Sequence, residues 1–272
     1  MSRSGQTRMK SVKELFSEYF EVKSADTQAL IDESLRIRYQ VYCVENVYEK
    51  PADPSQEIET DKYDIHSVHS IIHHKGTSST AATVRLVLPN PADPSLPFPI
   101  EEFCGSSLNN QETYLKDVSR YKIAEISRFA VSKEFKRRLN EQGTIAGVAP
   151  DTNAYTDVKI DPDTKKVTRM FPHISLGLFQ GIVRQSAAHD IKYWYAVMEP
   201  SLLRLLSRFG IRFNLIGPIV DYHGKRQPCF ASADEVLAGI YNQRRDIWEL
   251  ITDDGKVWLP PEKEKQHFQG IA

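Results

Sequence analysis

A chain of 272 residues with 40% hydrophobic and 26% charged positions is long enough to bury one sizeable core and has an ordinary globular make-up. Its 35 basic and 36 acidic side chains leave a formal net charge of -1, which excludes a global attraction to nucleic acid, a membrane surface or an acidic substrate, so binding has to be argued locally. The three cysteines, Cys43, Cys104 and Cys229, stand far apart and form no CxxC pair, and no secretory apolar segment or bilayer-length run occurs; a soluble, cytoplasmic protein without a transmembrane segment is expected.

Residues 1–10 are expected to be disordered. From Ser11 onward Leu15, Phe16, Tyr19 and Phe20 fall at helical spacing, which predicts a short amphipathic helix or an entry into a strand. Asp26 reads as the N-cap of a helix from Thr27 to about Tyr42, striped by Leu30, Ile31, Leu35, Tyr39 and Tyr42, and this helix carries Arg36 and Arg38. Residues 43–64 are polar, hold Pro51 and Pro54, and end in Asp61-Lys-Tyr-Asp64. A loop of that length inside a compact domain reads as a lid or binding loop. Ile65 to His74 and Ala81 to Leu88 then alternate as an antiparallel hairpin. His66, His69, His73 and His74 lie on it, but alternation sends them to opposite faces in pairs, so no metal site is expected.

The prolines between Pro89 and Pro99 mark a surface loop, and residues 105–120 are polar. The stretch Tyr121 to Ser132 reads as a strand near the middle of a sheet, followed by a basic helical turn over Glu134 to Leu139 and by a Gly-, Asp- and Thr-rich insertion near 143–168, read as mobile. Phe171 to about His189 is a predicted helix in which Gly177 and Gly181 thin one face for a backbone or a ligand. Lys192 to Met198 is a buried strand. Ser201 is expected to cap a helix from Leu202 to Phe209 that Gly210 ends, Phe213 to Val220 reads as a strand broken by Gly217-Pro218, and Tyr222 to Phe230 as a turn and a last strand. Asp234 opens a final amphipathic helix reaching about Trp248. This order predicts an α+β fold with a mixed sheet, residues 11–272 forming a single domain.

Glu125 and Arg128 sit inside the predicted central strand. Burying either charge without a partner is strongly unfavourable, so both must pair, reach a wetted cleft or do chemistry. Alternation puts Glu125, Ser127 and Phe129 on one face and Arg128 on the other, unless a bulge re-aims it.

Four blocks stand in order: Arg38-Tyr-Gln-Val-Tyr42, Asp61-Lys-Tyr-Asp64, Arg85-Leu-Val-Leu-Pro89 and Glu125-Ile-Ser-Arg-Phe-Ala-Val131. Together they resemble the N-acyl-homoserine lactone synthases over roughly the first half of the chain. The second half, with Tyr195 to Leu206 and Gly217 to Phe230, is similar to the PEP-CTERM/exosortase-associated acyltransferases and the long-chain N-acyl amino acid synthases. These relatives share the GCN5-related N-acetyltransferase (GNAT) fold, so the resemblance implies a splayed mixed sheet flanked by helices and holding a thioester co-substrate, with no tightly bound cofactor. The pyrophosphate-cradling Q/R-x-x-G-x-G/A loop of the acetyl-CoA enzymes has its nearest counterpart in Arg137 to Gly143, which lacks the second glycine. This favours acyl carrier protein, with its phosphopantetheine arm, over acyl-CoA as donor, and Lys133, Lys136, Arg137 and Arg138 are then the candidate patch for the carrier's acidic surface. Where the homoserine lactone synthases have a tryptophan, this chain has Tyr48.

The chemistry so implied is transfer of a fatty acyl group to the amine of an amino acid or related small metabolite. Aminolysis of a thioester needs a neutral amine, alignment and a stabilised oxyanion. Glu125 is the candidate base, with a structural ion pair to Arg128 or Arg38 as its other reading. Arg38, Arg85 and Arg128 are candidates for a substrate carboxylate or for bracing the acidic loop; Asp61 and Asp64 for the amine or for locking that loop. Phe129, Tyr222 and His223 are substrate-binding candidates, and the segment Tyr222-His-Gly-Lys-Arg226 is expected to shape the acyl or acceptor pocket. A Cys229/His223 nucleophile lacks an orienting third group. A non-catalytic acyl-thioester or lipid sensor and an acetyl-CoA-dependent N-acetyltransferase are the alternatives.

Overall fold

The structure, a computed structural model, describes residues 10–108, 118–136 and 171–261. The expectations for residues 1–9, for the insertion near 143–168, and for Arg137 and Arg138 lie outside the described residues. One sheet dominates, with the strand path β1 (Phe20–Ser24), β2 (Ser67–His74), β3 (Ser79–Val87), β4 (Ile123–Val131), β5 (Tyr193–Met198), β8 (Lys225–Ser232) and β6 (Asn214–Leu215). The two-residue β7 (Val220–Asp221) pairs with the start of β8. All neighbours are antiparallel except β4 and β5. A parallel pair needs a crossover, and the helix α4 (Phe171–Ala188) lies within that connection.

Helix α4 covers one face of the sheet. With α1 (Val12–Tyr19), α5 (Pro200–Arg208), α6 (Ala233–Gln243) and α7 (Arg245–Thr252) it closes the main core, which joins Phe20, Ile72, Leu86, Ala124 and Ile126 of the strands to Phe179, Ile182, Trp194, Leu205 and Trp248. The two helix glycines serve this packing. A Cβ on Gly177 would stand 2.6 Å from the Phe16 ring, and one on Gly181 would stand 2.6 Å from Ser70 Cβ, so their lost side chains make room for α1 and β2 rather than for a ligand. On the opposite face lie α2 (Gln28–Arg38) and α3 (Pro99–Cys104).

Several helix ends differ from their expected positions by one or two residues, and at the starts of α2 and α6 the difference follows from which side chain reaches an orphan N–H. Thr27, not Asp26, caps α2, its Oγ1 accepting from Leu30 N. Ser232, not Asp234, caps α6, and that helix breaks at Arg244 before α7. Glu199 occupies the N-cap position of α5, with Pro200 inside the first turn and Ser201 already helical; Gly210 follows the end with φ +83° as expected. The expected helix to Tyr42 is α-helical only to Arg38 and continues as a wider π turn over Tyr39–Glu45, a geometry that recurs near functional sites. The basic helical turn expected from Glu134 is a short 3-10 turn over Lys133–Phe135. Among the described residues no helix is long and apolar enough to cross a membrane.

Two features of β4 position everything below. Its ladder to β5 runs from Ile123 to Ile126 and ends at the pair Ile126/Ala196, whereas β5 stays paired with β8 through Met198. The sheet therefore parts between β4 and β5. The second feature is a bulge: Arg85 faces Ser127 and Thr83 faces Ala130, so Arg128 and Phe129 together oppose Val84, and Arg128 has φ +51°. Simple alternation would aim Arg128 at the α4 core. The bulge turns it to the face of Arg38 and Arg85, and it sends Phe129 to the main core, away from the face of Glu125 and Ser127 where alternation had it.

Candidate active site at the parting of the sheet

Where β4 and β5 separate, a crevice passes through the sheet, with different linings on its two sides. On the α4 side about 500 Å3 of space, open mouth included, is lined by Phe129, Phe179, Ile182, Met198, Leu202 and Leu206, with one carboxylate, Glu199, among them. On the other side about 390 Å3 is lined by Glu125, Pro99, Tyr222 and His223. Tyr42, Ile126, Ser127, Arg128, Val197 and Arg226 border both. An apolar chain fits the first compartment and a polar group the second.

Three arginines stand behind the polar compartment, and the acidic loop satisfies all of them. Arg38, with none of its surface exposed, donates through Nε to Glu59 at 2.6 Å and through its terminal nitrogens to Asp64 at 2.6 and 3.1 Å. Arg85 donates to Asp61 at 2.6 and 2.9 Å, to Asp64 at 2.7 Å and to Ser127 Oγ at 2.9 Å. Arg128 donates to Glu59 at 3.1 and 3.0 Å, to Glu49 at 3.0 Å and to Asp61 at 3.1 Å, with its guanidinium 5.0 Å from the Tyr42 ring centre. Of the three, only Arg128 lines the crevice. Burial pushes Glu59 up, yet Arg128 and Arg38 outweigh it and hold the carboxyl down at about 2; the same balance, led by Arg38, holds Asp64 well below the usual carboxylate range. His69, beside this lattice, is lowered to about 4 by burial and by Arg38, and stays neutral.

Glu125 stands apart from that lattice. Its Oε2 accepts from the backbone N–H of Ile100 at 2.8 Å, in the first turn of α3, and it is 2% exposed at the base of the polar compartment. Burial pushes its pKa up to about 8, against the pull of the Ile100 N–H and of Arg85. A carboxyl in that range accepts a proton from an ammonium far more readily than an ordinary glutamate does.

Tyr222 and His223 stack on each other with ring centres 4.3 Å apart, and Phe103 and Tyr48 continue the stack on either side. His223 takes φ +55° and its Nε2 lies 3.0 Å from Glu49 Oε1, which ties this aromatic wall to Arg128. Tyr48 therefore contributes a stacked ring through His223. Burial raises Tyr222 to about 12. Cys229 is fully buried, its thiol pushed up to about 12 by burial and donating to Gln227 O, and it lines neither compartment, so the structure does not bring it to His223 as a nucleophile pair.

The expected basic patch is redistributed. Lys136 is buried and donates to Glu45 at 2.9 Å, so it is not offered to a docking partner, while Lys133 is exposed. Among the described residues no group of three or more His, Cys, Asp and Glu is arranged to hold a metal ion.

Sequence reasoning passed over Glu49, Glu59, Tyr42 and Glu199, and reached Arg226 only as the end of the Tyr222–Arg226 segment. Glu59 alternates with Glu57 and Asp61 in a polar loop, and nothing local separates a carboxylate that will be buried from one that will not. Arg226 lies in Lys225-Arg226-Gln227, which reads as turn but opens β8.

Residues 37–145 match the family model of the acetyltransferase (GNAT) domain. No curated protein matches the chain in sequence. Solved structures share the fold at low identity. The AHL synthase LasI superimposes with a TM-score of 0.53 at 15% identity, covering 82% of this chain and 95% of LasI. FeeM, an N-acyl amino acid synthase from uncultured soil microbes, gives 0.52 at 11% identity, with 82% and 96% covered. The CoA-dependent acyl-homoserine lactone synthase BjaI, with SAM and isopentyl-CoA, gives 0.51 at 15% identity, with 89% and 90% covered. The chain thus carries an acetyltransferase domain of the GNAT type, mixed α+β, with a large open sheet whose parting strands enclose the candidate site.

Proposed function

We propose that this chain is an N-acyltransferase that moves a fatty acyl group from a thioester, on acyl carrier protein or on CoA, to the amine of an amino acid or related small metabolite. The observation that carries the reading is the two-sided crevice: a lining on the α4 side that is apolar but for Glu199 and the shared border residues, and a raised-pKa carboxyl on the other. The apolar side chains that line this side from Phe129 to Leu206 favour a longer chain than acetyl.

In this reading the acyl chain lies along Phe129, Phe179, Ile182 and Leu206, and the thioester carbonyl sits at the parting of the strands. There the edge of β4 beyond Ile126 has no ladder to β5 and offers backbone N–H groups to the carbonyl oxygen. The acceptor enters beside Tyr222 and His223. Glu125, in its ionised form, takes a proton from the amine as nitrogen bonds to the carbonyl carbon; the carbon–sulfur bond then breaks, and the proton passes to the departing thiolate. Arg38, Arg85, Asp61 and Asp64 act as the frame that fixes the acidic loop and Arg128, and Lys133 is the exposed member of the expected carrier-docking patch. FeeM, an N-acyl amino acid synthase, and BjaI, a CoA-dependent acyl-homoserine lactone synthase, share the fold and support both the acceptor class and a thioester donor.

The test is incubation of purified protein with hexadecanoyl acyl carrier protein, hexadecanoyl-CoA or acetyl-CoA and a pool of amino acids, read by mass spectrometry. A new N-acyl amino acid with a long-chain donor is expected. Product from acetyl-CoA alone would replace the reading with short-chain acetylation, and thioester binding without any product would replace it with a sensor.

A further inference from the structure

Of the four arginines around the crevice, Arg226 is bound least. Arg38 donates three hydrogen bonds and Arg85 and Arg128 four each, nearly all to carboxylates. Arg226 donates through one terminal nitrogen to Lys225 O at 3.1 Å. Its other terminal nitrogen lies 3.3 Å from Glu199 Oε1 but makes no well-formed hydrogen bond among the described residues. The residue is 8% exposed and borders both compartments, so a guanidinium ion-paired, among the described residues, to Glu199 alone, with an unsatisfied N–H group, stands where they join.

A buried guanidinium with unused N–H groups is a poor place to stop energetically and a good carboxylate receptor, because its fork accepts two oxygens side by side. Glu199, 3.3 Å away and itself lining the α4-side compartment, does not prevent this: Arg128, in the same crevice, already bridges Glu49, Glu59 and Asp61. Glu125 lines the polar compartment together with Arg226. An α-amino acid carries its amine and its carboxylate on one carbon, so a carboxylate held by Arg226 directs the amine into the compartment that contains the base.

We infer that Arg226 is the specificity residue that recognises the free carboxylate of an amino acid acceptor, at the join between the acyl and acceptor compartments. This rests on the N-acyl transfer proposed above and adds that decarboxylated amines are discriminated against at this position. Arg38, Arg85 and Arg128 are committed to the loop and leave this role open.

The experiment compares tyrosine with tyramine, leucine with isopentylamine and phenylalanine with phenethylamine as acceptors, using the long-chain donor, for the wild type, Arg226→Gln and Arg226→Lys. The wild type should prefer each amino acid to its amine by about a hundredfold or more in kcat/KM, in line with the loss expected when a buried polar receptor is left unpaired. Arg226→Gln should raise KM for the amino acids at least tenfold, leave kcat/KM for the amines within about threefold, and so collapse the ratio. Arg226→Lys, which keeps the charge but not the fork, should recover part of it. Equal losses for amino acid and amine with the ratio intact, in both variants, would make Arg226 a structural partner of Glu199 and overturn the inference. Equal use of both acceptor types by the wild type would overturn it too while leaving N-acyl transfer standing, whereas acylation of neither would remove the acyltransfer reading and this one with it.

Discussion

Glu59 and Glu125 are both 2% exposed, and their pKa values are shifted in opposite directions. Two arginines reach Glu59 through three hydrogen bonds and keep it ionised down to about pH 2. One backbone N–H reaches Glu125, and burial wins, lifting it to about 8. Withdrawal from water disfavours the charge in both; the partner decides the outcome. A carboxylate locked by guanidinium forks is a poor base and a good brace. One held by a single amide is the reverse, and the fold has built one of each on the same face of the sheet.

Removing the brace should have the largest effect. Glu59→Ala leaves Arg38 and part of Arg128 buried without their shared counter-ion, and breaking such a pair costs about 3–5 kcal/mol, a large share of the roughly 5–15 kcal/mol that holds a domain folded. Urea unfolding should show this, with Glu59→Gln intermediate because its amide still accepts from one arginine. A loss under about 1 kcal/mol would mean that Asp61, Asp64 and Glu49 carry the lattice without it. The acid limb is expected to report the same residue. A carboxyl whose folded pKa is depressed stabilises the protein above its unfolded value near 4.5, and that contribution disappears as pH falls through about 2. The wild type should therefore lose stability steeply below pH 4.5, and Glu59→Gln should flatten that slope.

Glu125→Gln is expected to do the opposite: a gain in stability at neutral pH and a fall in turnover of about a hundredfold or more, the usual worth of a positioned base. Turnover of the wild type should rise with pH through about 8 as Glu125 ionises. Its contribution to stability runs the other way. Between about 4.5 and 8 the native protein keeps a proton that the unfolded chain has released, so stability declines as pH rises across that window, and Glu125→Gln should abolish the decline. A rate profile that is flat from pH 6 to 9 would take Glu125 out of the proton transfer.

The chain order of strands and helices, the mixed sheet and the central place of residues 121–132 were legible because apolar period and turn chemistry are local properties. The ordered blocks around Arg38, Asp61, Arg85 and Glu125 likewise named the residues that meet at the site. What was not legible came from long-range geometry. Arg128 reaches its partners only through the bulge at φ +51°, and the same extra residue swings Phe129 into the acyl side. Glu59 becomes buried because a 3.2 Å backbone hydrogen bond from Glu59 N to Leu35 O draws the loop onto α2, a contact between distant residues that no window of sequence contains. Lys136 read as part of a basic run and ended inside the protein against Glu45, since the run's composition says nothing about which lysine has an acidic residue facing it.

Cys229 supplies a third buried acid and the smallest expected effect. It shares a strand with Arg226, has Ala196 of β5 and Leu215 of β6 as its cross-strand neighbours, and carries a thiol lifted to about 12 by burial with no cation to offset it. By the rule that separates Glu59 from Glu125, a buried acid without a charged partner stays protonated, and a thiol, unlike Glu125, then has neither nucleophilicity nor access to the crevice. Cys229→Ala should cost about 1 kcal/mol in stability, the worth of a small buried group, and leave kcat/KM within about twofold. Direct attack by the amine requires that result. Loss of turnover in a folded Cys229→Ala protein, or an acyl group found on that sulfur by mass spectrometry, would instead require a covalent acyl intermediate and would shift the base's task from the amine to the thiol.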